Sequence, residues 1–136
     1  MPKMVLLAQY LSINGQTLTT YTKKAELSVE VEDKDVTTYA SLGWKEVLGG
    51  LKSGELGCEF LQDFAASQLD AIMWPLLGTV VPFEVRADQG ARSPSNPGYT
   101  GNILINGWNP IEGSVGDEAT VSLGFPTSGA VTRATS

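Results

Sequence analysis

The residues that could carry reactive chemistry are few. The chain has 136 residues, no histidine and one cysteine, Cys58. Without an imidazole there is no Ser-His or Cys-His pair to activate a nucleophile, and no H-E-x-x-H zinc motif. Cys58 alternates with Leu56 and Phe60 on an apolar face, the setting of a small core residue. A single cysteine also excludes an intrachain disulfide framework. Gly116-Asp117-Glu118 offers two carboxylates, but in a turn they read as solvated acids. Two carboxylates on different strands could form a glycosidase-type acid–base pair, which needs a set separation that the sequence does not define. No glycine-rich phosphate loop is present. The expectation is a protein that is not an enzyme and needs no cofactor or metal.

The acidic residues are more suggestive as a group. Glu26, Glu30, Glu32, Glu55 and Glu59 fall on the polar faces of two alternating segments, with no Lys or Arg interleaved within them. Like charges facing each other across paired strands cost stability. The pattern reads either as a solvated face or as a wall that is wanted acidic. Fifteen acids against nine bases give a net charge of −6, the wrong sign for tight phosphate binding. Charged residues are only 18% of the chain, low for a soluble monomer and suited to a surface that is mostly interface.

Several elements must position these groups. Val5 to Ile13 is an apolar, β-favouring run ending at the turn dipeptide Asn14-Gly15. Ala25 to Glu32 alternates, with Leu27, Val29 and Val31 on one face, and Glu55 to Gln62 alternates again. One helix is expected, with Ser67-Gln68-Leu69-Asp70 as a capping pattern and Leu69, Ile72, Met73 and Leu76 as its core-packing stripe. Pro75 should stop or kink it, with Gly78 beyond. Val80 to Arg86 resumes strand character, but Pro82 demotes it to an edge or irregular strand. Tyr99 to Trp108 and Ala119 to Phe125 add two strands, the latter with Ala119, Val121, Leu123 and Phe125 inward. The sum is about six strands and one helix in a single domain, an all-β sandwich or barrel with a helix packed on it. Gln9 interrupts the opening apolar run and no small-residue cleavage site follows, so a signal peptide is not expected. Nothing approaches the roughly 18 apolar residues of a membrane span, so no membrane binding is expected.

One segment resists this scheme. Residues 33–54, including YASLGWKEVLGGLKSG, form too long a connection for a compact domain unless the loop has a task. Trp44, Val47, Leu48 and Leu51 stand at i, i+3, i+4 and i+7, which allows a short amphipathic helical turn before Gly49-Gly50. Such an apolar stripe marks an interaction site.

The runs GLKSGELGCEFLQDFAASQLDAIMWPLLGTVVPFEVR, NPGYTGNILINGWNP and GSVGDEATVSLGFPTSGAVTR resemble the major tail tube proteins of long-tailed phages of actinobacteria. The similarity runs from about Ala25 to Arg133. It implies a β-sandwich with one helix, assembling into rings, typically hexamers, that stack into a hollow tube. Strands of all subunits join one inner β-barrel through which the double-stranded genome passes. It further implies that the long loop reaches an adjacent ring, that the terminal segments, here 127–136, make further contacts, and that tape-measure, terminator and tail-tip proteins are partners. The place of such a protein is the virion tail, after assembly in the host cytoplasm. On this basis Trp44, Val47, Leu48 and Leu51 are candidates for the inter-ring contact. Glu26, Glu30, Glu55 and Glu59 are candidates for an acidic lumen. Two other readings are a ring-forming terminator or neck protein, and a β-sandwich binding module with Trp44, Tyr99 and Trp108 as aromatic platforms.

Overall fold

The computed structural model describes Val5 and residues 7–136; residues 1–4 and Leu6, in the expected first strand, lie outside the described residues. Among the described residues eight strands form, two more than the sequence suggests. The first, β1 (Tyr10–Ile13), turns at Asn14 and Gly15 into the short β2 (Gln16–Thr17). The two turn residues have φ of 55° and 76°, as a type I′ hairpin requires. Next come β3 (Thr22–Asp35), a 3₁₀ turn (Tyr39–Ser41) and β4 (Val47–Leu61). The helix α1 (Leu69–Met73) runs into a second 3₁₀ turn (Trp74–Leu76). The chain then forms β5 (Val80–Arg86), β6 (Gly98–Leu104), β7 (Thr120–Pro126) and β8 (Thr132–Ala134). These strands make two antiparallel sheets, ordered β2-β1-β5-β6-β8 and β3-β4-β7.

Alternation places the core between the sheets. Leu56, Cys58 and Phe60 of β4 and Val121 and Phe125 of β7 are buried. So are Leu11 and Ile13 of β1, Val81, Phe83 and Val85 of β5, and Ile103 of β6. Full burial of one such side chain stabilises by about 1.5–3 kcal/mol. Trp108 closes one end, its ring 6.3 Å from that of Phe60. Cys58 belongs to this core, and burial pushes its thiol up to about 12.

The helix packs but is not capped as its sequence suggests. Leu69 and Met73 are fully buried, while Ile72 and Leu76 lie at the core margin. Ser67 takes φ 62° and the cap position falls to Gln68, without a side-chain cap bond. The Asp70 carboxylate instead accepts the Trp108 indole N–H at 3.0 Å, a contact formed only by the folded chain.

Two further expectations change. With β1 on one side and β6 on the other, β5 is an interior strand, not an edge. Pro82 is tolerated because its carbonyl accepts the Asn14 amide at 2.7 Å. Amide and carbonyl of one strand residue point the same way, so the proline nitrogen faces the turn where the β1 ladder has ended at Ile13 and Phe83. The expected strand Tyr99 to Trp108 stops at Leu104, since Ile105 turns to exchange backbone bonds with Gly78 and Thr79. Within 127–136, the segment folds back and β8 adds an edge beside β6.

Candidate assembly surfaces

The expected loop 33–54 is mostly ladder. From Ala25↔Cys58 the pairing of β3 with β4 continues to Asp35↔Val47, with one irregularity between Val31 and Asp33. The helical turn suggested by Trp44, Val47, Leu48 and Leu51 does not form. Val47 pairs with Asp35 and Leu48 with Lys34, Leu51 lies on β4, and only Trp44 remains in the turn. Three glycines in VLGGLKSG hide strand character, and cross-strand pairing overrides that weak local preference. The true connection is short and internally bonded. The Val36 amide donates to the Glu46 carbonyl at 3.0 Å, and the Glu46 amide to the Thr37 hydroxyl at 2.8 Å. Hydrogen bonds from the Thr37 side chain and backbone hold the Asp35 carboxyl below its ordinary value. Leu42 and Gly43, with φ of 53° and 88°, reverse the chain.

This hairpin outruns its cover. Ala25 is buried and Leu27 packs against the core, yet Val29 and Val31 on the same face are 55% and 47% exposed. Beyond them Trp44 (79%), Leu51 (75%), Leu48 and Val47 are exposed, as are Tyr39 and Leu42. The hairpin is thus an arm, with a large apolar surface and no partner element within the subunit among the described residues.

The acidic residues do share one face, and the register answers how it is tolerated. Glu26 pairs with Gly57, Glu55 with Ser28, Glu30 with Ser53 and Glu59 with Lys24. No glutamate stands directly opposite another, so the expected penalty of facing like charges is avoided. Lys24, just before the first of these segments, also lies on this face, with its ammonium 3.8 Å from the Glu26 carboxylate. Residues pairing along β7 on the same face are Ser122, Gly124 and Pro126. Glu55 lies over Gly124, where a Cβ would collide with its carboxylate. Together these residues form an open groove of about 360 Å³, floored by Gly57 and Gly124 and rimmed by Lys24, Glu26, Glu55 and Glu59. The opposite face of the sheet is core, so the acidic face points away from the sandwich.

A second charged cluster was not anticipated. On the outer face of β5, Glu84 accepts from Arg86 Nη1 at 2.6 Å and from Arg92 Nε and Nη2 at 2.8 and 2.9 Å. The Arg86 guanidinium stacks 3.9 Å from the Tyr10 ring centre. The Arg92 hydrogen bond holds the Glu84 carboxyl below its ordinary value, against burial, which raises it. The cluster pins the loop after β5 to the sheet. Alternation with Val81, Phe83 and Val85 places Glu84 and Arg86 outward, but the contribution of Arg92 from a loop carries no sequence signal. The aromatic platform expected of a binding module is not assembled: Trp108 is buried in the core, whereas Trp44 stands at the arm.

Comparison with known proteins places this architecture. A chain from the virion of a native gene transfer agent particle is 22% identical, with a TM-score of 0.72 over 92% of this chain and 94% of that one. A chain from the tail of an empty gene transfer agent particle, refined with C6 symmetry, is 24% identical, with a TM-score of 0.70 over 93% and 94%. At such identity the likeness is one of fold. No curated protein matches the chain. The model of the phage tail tube protein family matches residues 6–133. The chain therefore belongs to the phage tail tube protein family, and its place is a structural one in the virion tail.

Proposed function

We propose that six copies close into a ring and that rings stack into the tube, with the β3–β4 arm of each subunit reaching the next ring. The observation that carries this reading is the arm itself, a ladder that leaves the sandwich with its apolar side chains uncovered. Sixfold closure is supported by the symmetry of the gene transfer agent tail whose fold this chain shares. The sheet β3-β4-β7 ends at β3 on one side and β7 on the other. Pairing the β3 edge of one subunit with the β7 edge of its neighbour would close an inner barrel and leave no edge to aggregate.

In that barrel the face bearing Glu26, Glu30, Glu55 and Glu59 lines the lumen, because the other face is core. Acidic walls repel phosphate and gain nothing from counterion release, so double-stranded DNA passes without tight or sequence-specific binding. The whole chain acts as one tube domain, structural rather than catalytic, with segment 127–136 at a ring contact. Tape-measure, terminator and tail-tip proteins meet it in the lumen and at the tube ends. Negative-stain microscopy of the purified protein tests the reading. Hollow stacked tubes are expected; rings that never stack would instead point to a terminator or neck protein.

A further inference from the structure

The outer strands of the acidic sheet have a direction, and rotation about a ring axis preserves it. We propose that β7 of one subunit joins β3 of its neighbour as a parallel pair, so that the inner barrel is antiparallel within each subunit and parallel at every seam. This rests on the reading of the two sheet edges as the ring contact.

Strand direction is the first support. β3 and β7 both run antiparallel to β4, so they run parallel to each other. Copies related by a ring axis keep the same strand sense along it, so the two edges meet in that sense. An antiparallel seam needs an even number of strands per subunit or an inverted neighbour. Among the described residues this sheet has three strands.

The free backbone groups are the second support. The Leu61 amide donates to the Tyr21 carbonyl at 2.7 Å, and the Thr127 amide to the Gly54 carbonyl at 3.0 Å. Successive residues of a strand turn their amide and carbonyl to alternate sides. Glu55, Gly57 and Glu59 therefore bond to β3, which leaves Ala25, Leu27 and Val29 bonding outward. On β7 the outward groups belong to Thr120, Ser122 and Gly124. Ser122 and Gly124 lie on the acidic face, whereas Ala25 and Leu27 lie on the core face. Staggered bonding in a parallel pair places the two seam-facing sets on opposite faces, as found here. An antiparallel pair sets them on one face, which turns the neighbour's apolar side into the lumen.

Two features limit the seam. The Ala25 carbonyl already accepts the Gln9 side-chain amide at 3.1 Å, so the free stretch of β3 begins at Leu27. Pro126 has no amide to donate, so the donors of β7 end at Gly124. Gly124 and Glu26 are level, because both pair with Gly57. Joining the free stretches thus displaces each neighbour along the strands, the stagger that barrel closure demands.

The test uses the full chain with two introduced cysteines, since Cys58 is buried. One replaces Thr120 or Ser122 on β7, and the other replaces Lys24, Glu26, Ser28, Glu30 or Glu32 on β3. Assembled protein is oxidised and interchain disulfides are read on non-reducing gels, because a disulfide needs Cα atoms within about 7 Å. Moving the β7 cysteine from Thr120 to Ser122 should move the best β3 partner toward the C-terminus. A shift toward the N-terminus overturns the parallel seam and leaves the ring contact intact. No interchain disulfide from any pair overturns the edge contact itself, and the seam with it. Should the double variants fail to assemble, a helical reconstruction of wild-type tubes decides by showing the chain direction of β7 and the adjacent β3. The same direction is expected, and opposite directions overturn the proposal.

Discussion

The two halves of the β3–β4 ladder share strands, pairing and alternation, yet live in different environments. In the lower half, Leu27 faces Leu56 and Ala25 faces Cys58, and the second sheet covers them. In the upper half, Val29 and Val31 continue the same face into open space. Alternation states which side chains share a face but not how far the covering sheet extends. The difference teaches that a half-buried strand pattern can be split between a core and an adhesive surface. The lower half holds the subunit together, and the upper half is left uncovered within it.

The sharpest way to break this comparison is to remove a side chain from the lower half. Phe60→Ala should cost the unassembled subunit about 3–5 kcal/mol, read by denaturant unfolding at concentrations too low for assembly. A small loss would mean that the sandwich core is not where the stability lies.

The next effect lies on the other sheet. Glu84→Gln should cost about 1.5–3 kcal/mol, because it weakens charge-assisted bonds to Arg86 and Arg92 at a site only 16% exposed. Its folded carboxyl is depressed, so its contribution is present above the ordinary glutamate range near pH 4.5 and is lost as pH falls through the lower folded value. Unfolding curves between pH 7 and pH 3 should therefore converge for the wild type and Glu84→Gln at the acid end.

The arm sharpens the contrast. Replacing Trp44, Leu48 and Leu51 by serine should change the stability of the unassembled subunit by about 0.5 kcal/mol or less per site, while abolishing tube growth. A loss comparable to that of Phe60→Ala would place these residues in the subunit core instead. The smallest effect on assembly is expected from reversing Glu26, Glu30, Glu55 and Glu59 to lysine. Rings and tubes should persist, and genome ejection should fail or slow. Infection at the normal rate by phage carrying that variant would rule out an acidic lumen.

Much of the fold is legible from residue order because it depends on local physics. The Asn14-Gly15 hairpin follows from the positive φ that these residues accept. The inward sets Leu56, Cys58 and Phe60, and Val81, Phe83 and Val85, follow from the two-residue period of a strand. The helix stripe follows from its spacing, and the side of its own strand on which each glutamate falls follows from alternation. Other features needed partners far along the chain. Pro82 reads as an edge residue until Asn14 is seen to meet its carbonyl, and Asp70 reads as a cap until Trp108 reaches it. The segment Val47 to Gly54 reads as loop because its glycines and lysine have little strand preference of their own, and only β3 lying alongside makes it a strand. Amino-acid order by itself determined the face of each side chain and the chemistry it carries, because those depend on neighbours within a few residues. Tertiary structure alone decided where the core stops, how the glutamates interleave, and that residues 33–54 form an arm, because these depend on which strands lie side by side.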